Sequence, residues 1–382
     1  MNLRRKGIVT FFLIVAVCWF SSVLEQVSAA ERVKVALILA QTGIAAKDNG
    51  PALEGAKIAV EEINSVLLKP VRMYIDLVIL DNNSTAIGSK IAAEKAASMH
   101  VSGAIGPLWS SQALAAAAVL QKAGIPMITP TGTKPEITRV GSYIFRACIT
   151  DSFQGKVMAH YAAVDLKART ASVLINMNEE YSMGLAEYFT RHFSQYGGKV
   201  VYTGNYQGTA VDFKEQISKM MELAPDVVFI PGYARDSGLI IKQAISLGMK
   251  TVFLGGDGWD NSMFEYAGNL IDGGYYTTMW HPDVPFPQSR VLQARYRKKY
   301  AKPCDDMRVP LTYDAFMLLA TAIHDARSRN PARIRNALAS VHGFKGATGT
   351  ISFDEHGDPL NKETVILTFK KGSSAFVRSV KP

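Results

Sequence analysis

Three cysteines among 382 residues are too few to hold a fold together through disulfide bonds. Long apolar runs are scarce as well, because only the N-terminal segment approaches the ~20 apolar residues that cross a bilayer. Nowhere do five or six like charges follow one another, and no nucleic-acid recognition motif occurs. The sequence therefore excludes a disulfide-built scaffold and a polytopic membrane protein, and it predicts no nucleic-acid partner.

Sequence motifs of enzyme active sites are also missing. Residues 41–46, which follow the first predicted strand, lack the G-x-G-x-x-G turn of a dinucleotide site, and neither G-x-x-x-x-G-K-[ST] nor G-x-S-x-G occurs. The seven histidines are dispersed, without the H-E-x-x-H spacing of a zinc site. The sequence therefore predicts a protein that is not an enzyme and that carries no cofactor or metal.

The chain has instead the composition of an ordinary globular protein. Hydrophobic residues make up 48% of it, which is enough apolar surface to offset the entropy of ordering the chain. At roughly 150 residues per domain, this length predicts two or three domains. The formal net charge of +9 is scattered along the chain and indicates solvated surfaces.

Residues 1–29 have the three-part layout of a secretory signal. Three consecutive basic residues from Arg4 precede the almost wholly apolar residues 8–20, and small residues follow. That run is shorter than the ~20 residues of an uncleaved membrane anchor. We therefore expect cleavage near Ala29 or Ala30 and export of the mature chain.

Cysteine positions leave two questions open. Cys18 lies inside the apolar run with no small residue directly before it, so a plain signal fits better than a lipoprotein signal. Cys148 and Cys304 remain in the exported chain, where an oxidising compartment permits a disulfide but spacing alone does not require one.

Short β-rich runs alternate with helical patterns, as in doubly wound parallel sheets. The first unit has predicted strands at 33–39, 73–80, 102–105 and 125–128 and helices at 52–63, 87–99 and 111–121. The second has predicted strands at 171–175, 200–202, 227–230 and 252–254 and helices at 153–164, 184–195, 213–223 and 237–246. The last third has predicted helices at 289–300, 312–327 and 332–338 and strands at 348–353, 365–369 and 375–380.

Polar residues collect where these strands end, and ligands bind at the carboxyl ends of strands in open parallel sheets. In the first unit these ends carry Trp109, Ser110, Thr131 and Thr133; in the second they carry Tyr181, Tyr233 and Asp257. Hydroxyls and a helix start favour an anion, and a lone carboxylate favours an ammonium group. Together they predict a zwitterion site between the two units.

Each of these residues also has a structural interpretation. Ser110 is a natural helix cap, the two threonines and the Asp257-Gly258 pair suit turns, and the three aromatic residues suit a core. The functional interpretation depends on their coincidence at one predicted edge.

With these residues in place, the sequence resembles the branched-chain amino-acid-binding proteins of ABC importers, which are type I periplasmic binding proteins. The resemblance runs from about residue 33 to residue 369. The matching stretches are Thr42-Gly43, Glu54-Gly55-Ala56, Ile105-Gly106-Pro107, Ser110-Ser111, Met127-Ile128-Thr129-Pro130, Asp151-Ser152-Phe153-Gln154-Gly155, Tyr313-Asp314-Ala315 and residues 226–233, 255–259 and 349–357. Each motif is weak alone, but their order and spacing are specific.

The resemblance implies two α/β lobes joined by three crossing segments that close on a ligand. Lobe 1 would contain residues 31–149 and 281–347, and lobe 2 would contain residues 150–280 and 348–382. A small-molecule ligand, an ABC permease and its ATPase would be the partners, and the membrane would be reached only through the permease.

The same resemblance implies roles for individual residues. Ser110 and Thr133 would hold the ligand carboxylate, the Thr131 carbonyl and Asp257 would hold its ammonium, and Tyr181 and Tyr233 would close over it.

Three positions depart from the family pattern. Many members have glutamate where this chain has Asp257, some have an aromatic residue at Asp48, and some have a small residue at Trp109. These departures leave open another ligand, such as an aromatic acid or an amide, and a sensory role with a signalling partner also stays open.

Overall fold

The structure is a computed structural model that describes residues 30–382. Its first stretch forms strands β1 (Glu31–Leu39), β2 (Met73–Asp81), β3 (Gly103–Ile105), β4 (Met127–Thr129) and β5 (Ile144–Arg146) and helices α1 (Ala46–Glu62), α2 (Ala86–Ser98), α3 (Ser110–Ala123) and α4 (Glu136–Arg139). The five strands are parallel, in the order β2-β1-β3-β4-β5. Strand β1 is apolar from Val35 to Leu39 because helices cover both of its faces.

The chain then crosses to a second unit. This unit contains helices α5 (Asp151–His160), α6 (Glu180–Gln195), α7 (Lys214–Leu223), α8 (Ala234–Ser246) and α9 (Met263–Ala267) and strands β6 (Thr170–Asn176), β7 (Lys199–Tyr206), β8 (Val227–Phe229), β9 (Val252–Gly255) and β10 (Tyr275–Thr278). These strands are parallel to one another. One turn of π-helix extends α1 (Ile63–Leu67) and another extends α5 (Tyr161–Asp165).

The last third returns to the first unit and then leaves it again. Helices α10 (Pro287–Tyr300), α11 (Arg308–Ala326) and α12 (Pro331–Ala339) come first, and α11 packs along α1. A hairpin of β11 (Phe344–Gly346) and β12 (Gly349–Ile351) follows. Strands β13 (Thr364–Lys370) and β14 (Ser373–Val380) then join the second sheet antiparallel, in the order β14-β13-β10-β9-β8-β6-β7.

This architecture confirms the predicted fold class, in which two doubly wound sheets are joined by three passages of the chain. The lobes themselves, residues 31–149 plus 281–347 and 150–280 plus 348–382, stay a prediction. The division at residue 347 would separate the paired strands β11 and β12, and Asp358 still contacts the first unit through Arg146. Hence the hairpin and the loop after it lie beside the first sheet.

The sequence pattern did not reveal two of the short strands. Strands β5 and β10 were not predicted, because three or four residues of mixed polarity leave little periodicity to detect.

Cys148 and Cys304 are both buried and free, so they form no disulfide with each other. The predicted signal and Cys18 lie outside the described residues. From residue 30 onward, no helix combines the length and the apolar character needed to cross a bilayer.

Candidate ligand-binding site

The carboxyl ends of strands from both sheets face each other across a cleft. Loops after β3 and β4 come from the first unit, and loops after β6, β8 and β9 come from the second. Between them lies a small cavity of about 30 Å³, which has room for only one or two water molecules. Six of the eight predicted site residues line this cavity: Trp109, Ser110, Thr131, Tyr181, Tyr233 and Asp257.

On the first unit, hydroxyl groups and a helix start face the cleft. Ser110 begins α3, where the first N–H groups have no partner within the helix, and its Oγ accepts from the Lys134 N–H at 3.3 Å. The Thr131 hydroxyl donates to the Leu108 carbonyl at 2.9 Å. Thr133 is buried below this layer and does not line the cavity. The helix start and the hydroxyls make this wall suitable for an anion.

On the second unit, Asp257 is held in one orientation by Gln154. The amide nitrogen of Gln154 donates to Asp257 Oδ1 at 2.8 Å, and the Gln154 amide oxygen accepts from the Asp257 N–H at 2.7 Å. Burial raises the pKa of the Asp257 carboxyl to about 6, while hydrogen bonds from Gln154 and Tyr181 act in the opposite direction. A cation bound to this carboxylate would offset the free-energy cost of removing its charge from water.

Glycines on both sides of Asp257 allow the turn to sit this close to its neighbours. A Cβ at Gly256 would lie 2.4 Å from the Tyr181 hydroxyl, and one at Gly258 would lie 2.5 Å from the Gly232 carbonyl oxygen. The Gly258 N–H donates to that same Tyr181 hydroxyl at 3.0 Å. Any side chain at either glycine would therefore push Asp257 out of position.

A second carboxylate, Asp151, lies next to this group and is fully buried. Burial raises its pKa well above the ordinary value, and the negative charge of Asp257 adds to the rise. The Thr133 hydroxyl lies beside it and favours the charged form, but neither oxygen of Asp151 accepts a hydrogen bond of good geometry. A cation bound at Asp257 would offset part of the free-energy cost of burying both carboxylates.

Three aromatic rings close the cleft from both sides. Trp109 of the first unit stacks on Tyr233 of the second, with ring centroids 4.1 Å apart and planes 13° apart. Tyr181 continues the stack, 5.4 Å from Tyr233. Aromatic contacts of this kind contribute about 0.5–1.5 kcal/mol each beyond their buried area. The stack therefore stabilises a closed arrangement of the two units.

Polar contacts across the cleft support the same closed arrangement. The Ser111 hydroxyl donates to Glu179 at 3.1 Å, Lys134 forms an ion pair with Glu180, and Lys47 forms one with Glu265. Burial raises the pKa of Glu179 to about 7. The Lys47–Glu265 pair is exposed on both sides, where such pairs contribute little, whereas the Lys134 side chain is mostly buried.

Comparison with known proteins agrees with this geometry. A family model described as periplasmic binding protein matches residues 32–373. The chain belongs to that family. The resemblance that the sequence motifs predicted is thereby confirmed.

Several relatives of this periplasmic binding protein are named as amino-acid-binding proteins. A leucine-, isoleucine-, valine-, threonine- and alanine-binding protein of Pseudomonas aeruginosa is 28% identical, over 91% of this chain and 92% of that protein. A leucine-binding protein of Thermotoga maritima has a TM-score of 0.87 at 33% identity, over 92% of this chain and 99% of that one. A branched-chain amino acid substrate-binding protein of Streptococcus pneumoniae, solved with isoleucine, has a TM-score of 0.85 at 26% identity, over 92% and 100% of the two chains.

More distant structures share the fold alone. One example is a solute-binding protein of Rhodopseudomonas palustris, solved with 4-hydroxybenzoate, which has a TM-score of 0.83 at 20% identity and covers 92% of this chain. Periplasmic binding proteins with this fold therefore accommodate different ligand classes, and the residues of the cleft must decide between them.

Sequence reasoning missed three residues of this periplasmic binding protein that shape the cleft. Asp151 was quoted only as part of a motif, because strand β5 was not predicted and the segment after it was not recognised as a strand end. Met307 and Arg308 line the 30 Å³ cavity just where α11 begins, four residues before the predicted start of that helix. Asp48, the eighth predicted residue, lines a neighbouring cavity instead.

Proposed function

We propose that this protein is the extracytoplasmic solute-binding component of an ABC importer and that it binds an amino acid between its two lobes. The closed, loaded form is delivered to a membrane permease that an ATPase drives. The protein reaches the membrane only through that permease, acts in the periplasm, and binds its ligand without transforming it.

The observation that carries this proposal is that one wall of the cleft suits an anion and the opposite wall suits a cation. Ser110 and Thr131 present hydroxyls and a helix start from one wall, and Asp257 presents a buried carboxylate from the other, with the carboxylate of Asp151 buried close to it. A zwitterion with its carboxylate towards the first wall and its ammonium towards the second satisfies both. An aromatic acid without an ammonium group would place one more anion beside two carboxylates, which favours the amino acid.

Ligand entry requires the two lobes to separate first. A cavity of about 30 Å³ is smaller than the charged end of an amino acid, and the Trp109–Tyr233 stack spans it. An open form must therefore exist in equilibrium with the closed one. A ligand that contacts both walls stabilises the closed form and shifts the population towards it.

A thermal-shift screen of the purified protein against the twenty amino acids and aromatic acids tests the proposal. A ligand at 100 times its dissociation constant stabilises the folded state by about 2.7 kcal/mol. For a protein of this size, that corresponds to a rise in melting temperature of roughly 4 °C. A rise with an aromatic acid and with no amino acid, or conversion of a ligand to product, would refute amino-acid binding.

The affinity for an amino acid should depend on pH through Asp257. The ammonium group binds the ionised carboxylate, and the pKa of Asp257 is about 6, so acid removes the charge and weakens binding. We expect the dissociation constant to be about ten-fold higher at pH 5 than at pH 7.5. Titration calorimetry at the two pH values measures this, and equal affinity at both would contradict the role of the carboxylate.

A further inference from the structure

A second and larger cavity adjoins the predicted site. Its volume is about 180 Å³, and Met307 and Arg308 line both cavities, so only these side chains stand between the two spaces. An apolar cavity of about 150 Å³ holds a benzene molecule, so this one has room for the end of an amino-acid side chain. The walls come from α1, from the loop after β9 and from the segment before α11.

Carboxylates outnumber cations around this cavity. Four aspartates line it, with two cationic side chains and one histidine: Asp48, Asp260, Asp305, Asp306, Lys47, Arg308 and His281. Burial lowers the pKa of His281 and so disfavours its charged form. The chain as a whole has a formal net charge of +9, whereas the residues around this cavity carry an excess of negative charge.

Arg308 is already shared among the carboxylates. Its guanidinium pairs with Asp260 of the second unit and with Asp306, the latter at 2.5 Å, and its side chain is only 12% exposed. Lys47 is engaged by Glu265 at 2.5 Å. Neither cation is therefore available to neutralise a further carboxylate fully.

Two of the four aspartates, Asp305 and Asp48, have no hydrogen-bond or ion-pair partner for their carboxylates among residues 30–382. Asp305 is exposed, whereas Asp48 is half-buried in the first turn of α1. Burial raises the pKa of its carboxyl, with only partial opposition from the charge of Arg308. A half-buried carboxylate of this kind gains more from a cation than an exposed one does.

We infer that this cavity receives the cationic end of the ligand side chain, next to Asp48, so that the ligand is a basic amino acid of the arginine, lysine or ornithine type. The inference rests on the proposed function, because it assumes that the α-amino and α-carboxyl groups lie at Asp257 and Ser110. A side chain ending in a carboxylate is disfavoured, since Arg308 is occupied and the remaining charge is negative.

Pairs of ligands that differ only in charge test the inference. Titration calorimetry compares L-arginine with neutral L-citrulline, and L-lysine with L-norleucine; L-glutamate is the anionic probe. We expect the cationic member of at least one pair to bind ten-fold or more tightly than its neutral counterpart. Asp48→Asn should reduce that ratio at least five-fold, and Asp48→Glu should preserve most of it. The exposed Asp325→Asn is the matched control and should leave the ratio unchanged.

The possible outcomes distinguish a failure of the basic-ligand inference from a failure of the proposed function. Binding of neutral amino acids with no gain from a cation, tighter binding of glutamate, or an unchanged ratio in Asp48→Asn would overturn the inference and leave the proposed function standing. Failure of every amino acid to bind would overturn both. Should Asp48→Asn not fold, as judged by circular dichroism, the ratios measured on the unaltered protein decide.

Discussion

Replacing Asp257 with asparagine is expected to lower the affinity for an amino acid at least about 30-fold at pH 7.5. Asparagine keeps the shape of the side chain and the oxygen that accepts from Gln154 at 2.8 Å, but it removes the negative charge. Truncating one partner of a buried, hydrogen-bonded charge pair costs about 2–5 kcal/mol of binding free energy. Calorimetry with the ligand found in the screen measures the loss.

The same substitution should leave the unliganded protein at least as stable as before. Burial raises the pKa of Asp257 to about 6, so at pH 7.5 its ionised form is unfavourable in the folded state, and a neutral amide relieves that cost. Asp257→Glu keeps the charge and should retain much of the affinity. The exposed Asp212→Asn serves as the control. An unaltered affinity in Asp257→Asn would remove the carboxylate from the ammonium site.

Replacing Arg146 with methionine is expected to destabilise the protein by about 3–5 kcal/mol, because the loss leaves a buried partner charge and several carbonyls unpaired. Arg146 is fully buried, and its guanidinium donates to Asp358 at 2.6 Å and to the Gly132 and Lys134 carbonyls at 2.8 and 2.9 Å. The carbonyls belong to the loop after β4 that carries Thr131. Affinity for the ligand should therefore fall together with stability.

Arg139→Met provides a matched control because Arg139 contacts the same carboxylate. It lies 3.8 Å from Asp358, and its side chain is 45% exposed, so its removal should cost no more than about 1 kcal/mol. Urea unfolding, followed by tryptophan fluorescence, compares the two variants. Equal midpoints for Arg146→Met and Arg139→Met would show that the buried network contributes no more than a surface pair.

Local patterns were sufficient to predict most elements of both sheets. The continuous apolar run of β1 and the helical spacing of α2 and α8 each identify an element without reference to the rest of the chain. Strand β10, with the sequence Tyr-Tyr-Thr-Thr, has no such pattern, and it forms because β9 and β13 lie on either side of it. Short strands of this kind depend on their neighbours in the sheet.

The residues of the candidate site could likewise be predicted only in part. Residues at strand ends, such as Ser110, Thr131 and Asp257, could be named because strand order places all carboxyl ends at one edge. The position of Thr133 below the cavity, and of Asp48 in the adjoining one, could not be derived from turn chemistry. Both depend on how side chains pack after the loops have formed.

Residue order alone was enough to determine the α/β fold class and to predict export and a zwitterion site at facing sheet edges, since periodicity, turn residues and signal layout are properties of neighbours in the chain. Packing of the two units had to be known before Asp151 could be placed beside Asp257, Trp109 against Tyr233, or Arg308 between two aspartates. These contacts join segments far apart in sequence. Their geometry, and the desolvation that shifts the pKa values of the carboxyls, exist only once the cleft has closed.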